Sequence, residues 1–153
     1  MAAATRRKKR RIIVRRSKVH GKGVFAASFI PKGTRIIEYK GRRMSEKAAD
    51  EKYCDDSSPH TFLFLLDNAV VIDANYEGNS ARWINHGCKP NCDSTEEGGR
   101  MFIDALRDIR AGEELSYDYN LVLEERHTPA QKKLHACGCG APKCRGTILG
   151  PKR

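Results

Sequence analysis

No stretch of this 153-residue chain stays apolar long enough to cross a bilayer. Its longest apolar runs, such as Phe62 to Leu66, fall far short of the roughly 20 residues a spanning helix needs. The first residues are charged with no apolar segment behind them, which argues against a secretory leader. Acidic residues are missing between Arg6 and Lys18, a run that holds nine of the 29 Lys and Arg. Outside it stand 20 basic and 19 acidic residues, so the net charge of +10 belongs to an arm and the body is close to neutral. Interleaved aromatics are missing from the arm too. It is fit for phosphate contact, compartment targeting or solvation, and nucleic acid could meet it only non-specifically, without base stacking. These absences predict an intracellular, soluble protein with no membrane partner, and cytoplasm and nucleus fit them equally. In such a reducing compartment, six cysteines serve metal binding or catalysis more often than disulfides.

What is present centres on Arg82-Trp83-Ile84-Asn85-His86-Gly87-Cys88-Lys89-Pro90-Asn91-Cys92. It sets an apolar anchor, a hydrogen-bonding Asn-His pair, a rigid Pro and two thiols in eleven positions. A core segment would not carry that mixture, because each buried polar group without a partner costs on the order of 1–3 kcal/mol. The stretch has the composition of a site.

The rest of the chain is mostly strand and turn. Ile12 to Val14 is a short β-branched run, and Gly21-Lys22-Gly23 supplies two residues without Cβ, for a turn or a close backbone approach to a ligand. Pro31-Lys32-Gly33 turns into a strand through Tyr39, and Arg110-Ala111-Gly112 repeats the device. Strand-like runs at His60–Leu66 and Ala69–Ala74 meet at Asp67-Asn68, and Met101–Leu106 makes another. Helix is expected from Ser45 to about Tyr53 and briefly after Thr128-Pro129. The fold class is therefore mainly β, a β-rich α+β domain.

Two constellations carry further chemistry. The tail Cys137-Gly138-Cys139-Gly140-Ala141-Pro142-Lys143-Cys144 offers three thiols, one short of the tetrahedral shell of structural zinc. The fourth ligand must come from elsewhere. Cys92 is favoured, with Cys88 and His135 as alternatives and Cys54 a more remote one. A link from Cys92 would clamp the tail against the Asn-His stretch, and a closed shell of four thiolates leaves no position for a reacting water. In Glu113-Glu114-Leu115-Ser116-Tyr117-Asp118-Tyr119, two phenols fall two apart and share one face of a strand, an arrangement that serves packing more often than catalysis.

In combination these pieces resemble the SET-domain protein lysine methyltransferases. The matching segments are Gly21 to Phe25, Glu38 to Gly41, Ile72 to Ala74 with Gly78-Asn79, Arg82 to Cys92, Glu113 to Tyr119 and the Cys-x-Cys-x4-Cys tail, in the family's order. The resemblance implies a β-clip with a pseudoknot and a small post-SET zinc tail. It implies S-adenosylmethionine as methyl donor, one structural Zn2+, and a protein substrate presenting a lysine from a histone-like or other basic segment. By the same likeness, Gly21, Lys22, Gly23, Tyr39 and Arg82 would hold the donor's methionine end. Asn85 and His86 would hold its amino group and adenine, with Leu149 as cover and Phe62 at the border of donor and lysine channel. Tyr119 takes the place of the catalytic tyrosine with Tyr117 as a second catalytic position, and Phe62, Tyr117 and Tyr119 line the lysine channel. Cys92, Cys137, Cys139 and Cys144 correspond to the zinc ligands. The implied organisation is an arm over 1–11, a catalytic domain over 12–120, a linker with a short helix over 121–132, a zinc segment over 133–149 and a tail over 150–153.

Three positions depart from the family pattern: Gly87 for Ser, Asn75 for Thr and Arg42 for Glu. The channel positions give opposite signals, since Phe62 stands where many relatives carry Tyr and Tyr117 where others carry Phe. A mono- or dimethylated product is expected. The rival is a catalytically inactive zinc module that holds nucleic acid or a protein through its arm.

Overall fold

A computed structural model describes residues 10–53, 62–121 and 126–150. Cys54, the start of the expected strand from His60, and residues 1–9 of the arm lie outside them. Small β-sheets dominate. β1 (Ile12–Arg16) and β2 (Lys22–Ala26) form a hairpin, whose turn is eased by Gly21 at φ 43°. β3 (Arg35–Tyr39), β8 (Cys92–Glu97) and β9 (Arg100–Ala105) form an antiparallel sheet in the order β3-β9-β8. β4 (Arg42–Ser45), β5 (Leu63–Leu65) and β6 (Val70–Asp73) form another, in the order β4-β6-β5. The fourth pairing is parallel and only two residues long, between β7 (Asn85–His86) and β10 (Ser116–Tyr117).

The two echoing turns behave as their sequences predict. Gly33 has φ 83° and Gly112 φ 89°, the positive value a type II turn needs at its third residue. They also meet, because Ile30 and Ile109 exchange two backbone hydrogen bonds of 2.8 Å. Val24, Ile30, Ile84, Ile103, Ile109 and Leu115 fill the core between the sheets.

Helix α1 (Glu46–Tyr53) starts where Ser45 Oγ accepts the N–H of Ala48. Helix α2 (Pro129–Leu134) starts at Thr128, whose hydroxyl accepts the N–H of Gln131. After α2 the chain returns to the body. Ala136 bridges to Thr147, which closes the cysteine segment into a loop, and Leu149 bridges to Leu121, which ties the end of the tail to the chain just after Tyr119. Among the described residues no helix is long and apolar enough to cross a membrane.

Candidate active site

Asn85 to Asn91 is laced to the strand before Tyr119 along most of its length. Gly87 N–H donates to the carbonyl of Tyr117 at 3.2 Å. The buried Asn91 amide donates to the Glu114 carbonyl and accepts the Ser116 N–H, both at 2.9 Å. Sequence inspection credited Asn91 with no role, although an Asn beside Pro in an apolar setting has to find partners. Gly87 also gains an explanation: a Cβ there would lie 2.7 Å from Ser116 Oγ, so the serine hydroxyl fills the space a side chain at 87 would need.

The lacing brings three phenols together. Tyr117 and Tyr119 rings lie 4.8 Å apart, Phe64 stacks on Tyr117 at 6.1 Å, and Tyr39 meets Phe64 edge-on at 5.2 Å. Burial drives the pKa of all three phenols upward, for Tyr119 with help from the charge of Glu114, so each keeps its proton at neutral pH. Tyr119 donates that proton to the Ile84 carbonyl, which leaves its oxygen lone pairs as acceptors. Phe64, not Phe62, is the phenyl among the phenols. Phe62 packs edge-on against Trp83 at 5.3 Å, with the Arg82 guanidinium 6.0 Å from its ring. Phe64 follows Phe62 by two, the spacing of one strand face, and was legible on that ground.

His86 is buried beside Tyr119, with ring centres 5.4 Å apart. Its Nδ1 accepts the Tyr119 backbone N–H at 3.0 Å, so the ring proton sits on Nε2, 3.4 Å from Cys88 Sγ. Asp118 lies 3.6 Å from the same Nδ1, but this is no ion pair. Burial lowers the imidazole pKa, and the accepted N–H requires an unprotonated Nδ1. Asp118 spends its charge on Arg145 in a two-pronged contact at 2.7 and 3.1 Å, which latches the tail to the strand that carries the phenols.

A cavity of about 290 Å³ opens beside these groups, bordered by His20, Asn85, His86, Tyr119, His135 and Cys137 among others. A second cleft of about 650 Å³ is lined by Arg16, Gly21, Lys22 and Trp83 among others. Gly21 and Lys22 therefore face a cleft, whereas Gly23 is covered by Glu114 and Ser17. Leu149 is buried, and its neighbour Ile148 borders the cavity. Among the described residues, two buried polar atoms lack a hydrogen-bond partner: the Tyr39 hydroxyl and Arg82 Nε. Both are residues assigned by resemblance to the donor's methionine end, and orphaned buried polar groups are what a polar ligand would satisfy.

The thiols that gather include Cys88 in place of the expected Cys92. Cys88, Cys137, Cys139 and Cys144 gather with all four sulfurs within 4.8 Å of one another. Cys88 Sγ lies 3.8 Å from both Cys137 Sγ and Cys144 Sγ. A tetrahedron of sulfurs about 2.3 Å from zinc has edges of about 3.8 Å, so the donor set fits the ion. Cys92 is elsewhere. Pro90 and Asn91 turn the chain after Cys88, and Cys92 opens β8 opposite Ala105 with its thiol in the core, where burial pushes its pKa up to about 12. Within the cluster, burial raises the thiols of Cys88 and Cys137. Cys139 runs the other way, down to about 6: burial pushes it up, but the N–H groups of Cys88 and Ala141 and the neighbouring thiols outweigh that. His135, the other alternative, is engaged with the Gln131 carbonyl.

The candidate site is thus a β-rich scaffold laced through an Asn-His segment, with three phenols beside a cavity and a cluster of four thiols on the tail that could hold a metal ion. Comparison with known proteins places the chain in a family. The SET domain matches residues 21–120. Histone-lysine N-methyltransferase set1 of Dictyostelium discoideum is 37% identical over 153 residues, covering 95% of this chain and 10% of that protein. The H3 lysine-4 specific histone-lysine N-methyltransferase of Saccharomyces cerevisiae is 40% identical over 149 residues, covering 93% of this chain and 13% of that protein. Human histone-lysine N-methyltransferase 2B is 41% identical over 138 residues, 86% of this chain and 5% of its own length. The chain belongs to the SET-domain family, and it spans a small fraction of the relatives it matches.

Proposed function

We propose that the chain is a protein-lysine N-methyltransferase that uses S-adenosylmethionine and acts on a lysine in a histone-like or other basic protein segment. The observation that carries this reading is the convergence of Tyr39, Tyr117 and Tyr119 around Phe64, next to a cavity bordered by Asn85 and His86. Tyr39 and Arg82 would hold the donor's methionine end with their unpaired polar atoms, and Asn85 and His86 its amino group and adenine. When bound, the donor supplies an electrophilic methyl on a cationic sulfur.

The chain's own residues supply alignment and a dry wall. A lysine amine at pH 7 must lose a proton at a cost of roughly 4–5 kcal/mol from its usual pKa near 10.4. A channel of Tyr117, Phe64 and Tyr119 lowers that cost by stripping water from the ammonium. A phenolate base is not required, and Tyr119 is unsuited to be one, since burial keeps it protonated and its proton is committed to Ile84. Its lone pairs are instead free to accept from polarised C–H or N–H groups and to fix their direction. One structural zinc on Cys88, Cys137, Cys139 and Cys144 would hold the tail over the cavity without entering the reaction. The arm and the basic hairpin would meet nucleic acid only through phosphates.

Labelled S-adenosylmethionine with histones and other basic proteins tests the reading. Wild type should transfer label, and Tyr119→Phe should lose about 100-fold in rate while still binding the donor, because only the alignment of reacting atoms is removed. Mass spectrometry of the product should show mono- and dimethyl lysine. Background transfer by wild type across the panel, with donor binding absent, would favour the inactive module.

A further inference from the structure

Glu114 is not among the residues that the resemblance assigns, yet it sits where three segments of the site meet. Its Oε1 accepts the Ser17 hydroxyl at 2.6 Å and the Asn85 side-chain amide at 3.0 Å. Asn85 Nδ2 also lies 3.2 Å from the His20 carbonyl and 3.0 Å from that of Lys22. An amide NH2 has two hydrogens for these three acceptors, and the carboxylate is the strongest of them. Ser17 Oγ in turn accepts the Val19 N–H at 3.0 Å, so one carboxylate orders both the Asn85 side chain and the 17–23 loop. The backbone of Glu114 is itself fixed, with its carbonyl accepting from Asn91 and its neighbour Leu115 bonded to Val24.

The two glycines of Gly21-Lys22-Gly23 then have different reasons to be glycine. Gly21 sits at φ 43°, and a Cβ there would meet nothing within 4 Å. A Cβ on Gly23 would lie 2.2 Å from Glu114 Oε1 and 2.9 Å from Ser17 Cβ. The shorter clash is relieved when the carboxylate swings away, which breaks its bonds to Ser17 and Asn85, while the slighter Ser17 Cβ contact asks only for a small shift. We infer that Glu114 is a positioning residue that orients Asn85 and the 17–23 loop for the methyl donor, and that Gly23 lacks a side chain to leave room for this carboxylate. The inference rests on the proposed donor role of Asn85.

A double-mutant cycle tests it on the metal-loaded chain. Gly23→Ala should weaken donor affinity by ~10-fold in the wild-type background, and by less than about twofold in the Glu114→Ala background, since coupled residues are not additive. Additive losses would mean that Gly23 serves the donor directly, and would overturn the proposal. A second readout does not need the donor: the Asn85 side-chain amide signals in NMR. Glu114→Ala and Gly23→Ala should shift them alike, and Glu114→Gln, which keeps an acceptor oxygen, should stay nearer wild type. Amide signals unmoved by Glu114→Ala would sink the link between the two residues. Shifted signals in a chain that neither binds donor nor transfers methyl would leave the link standing and remove the methyltransferase reading.

Discussion

At the scale of single residues, the sharpest contrast lies between two cysteines four positions apart. Cys88 lies a tetrahedral-edge distance of 3.8 Å from two tail thiols and within 4.8 Å of the third, and Cys92 is in the core at 1% exposure. Cys88→Ser should therefore lose stoichiometric zinc, while Cys92→Ala should keep one ion per chain by elemental analysis after gel filtration. Cys92→Ala should instead lower the melting temperature modestly, because it deletes one buried atom from a packed core, at about 1 kcal/mol. Retention of zinc by Cys88→Ser together with its loss in Cys92→Ala would reverse the assignment. Sequence alone favoured the wrong thiol because both follow an Asn-His segment at loop spacing. What separates them is the pairing of Cys92 with Ala105 on β9, a contact between residues far apart in the chain.

At the scale of elements, the legible parts were those with local signals. The type II turns, the Ser45 and Thr128 caps and the β-branched strand β6 all formed where their residues direct. β8 did not announce itself: Cys92-Asp93-Ser94-Thr95-Glu96-Glu97 is mostly polar, and it is a strand because β9 pairs with all six residues. β7 and β10 are two residues each and exist only through each other. The junction of α1 and β6 was equally hidden. Asp73, fully buried at the end of β6, accepts the Tyr53 hydroxyl at 2.5 Å and both Asn75 nitrogens at 2.9 Å, with Lys52 Nζ 3.7 Å away. Burial would raise its pKa, but the bonds from Tyr53 and Asn75 and the charge of Lys52 hold it below its ordinary 3.8. A carboxylate depressed in the folded state stabilises fully above that unfolded value and loses its contribution as the pH falls through the lower folded one. Asp73→Asn should therefore flatten the pH dependence of denaturant stability below about pH 4 and cost roughly 1–3 kcal/mol at pH 7. An unchanged acid limb in the variant would show that the carboxylate is not the group titrating there.

Two features concern the whole molecule, and they pull on different ends of the chain. At the N-terminal end, charge is concentrated. Arg10, Arg15, Arg16 and Lys18 make no ion pair among the described residues, and Arg15 and Arg16 border the open cleft with Lys22. If nucleic acid is held here through phosphates alone, affinity should fall with salt at a log–log slope of about −0.9 per phosphate neutralised, with no preference among sequences. A titration by fluorescence anisotropy at several salt concentrations checks this, and a flat salt response would exclude the contact. At the C-terminal end, four thiols gather beside the cavity. The cavity beside Asn85 and Tyr119 takes part of its wall from Leu134, His135, Cys137 and Ile148, and these are held by Arg145, by two isolated backbone bridges and by the thiols. With zinc bound as proposed, stripping it with a strong chelator would leave four thiols within 4.8 Å of one another with no ion between them. The tail should then detach while the sheets persist, because the core of Ile30, Ile84, Ile103 and Leu115 owes nothing to it. Far-UV circular dichroism should stay close to the starting spectrum, while donor affinity falls by at least ~10-fold and returns on adding zinc. Global unfolding on chelation would mean that the metal organises the whole fold and not its lid alone.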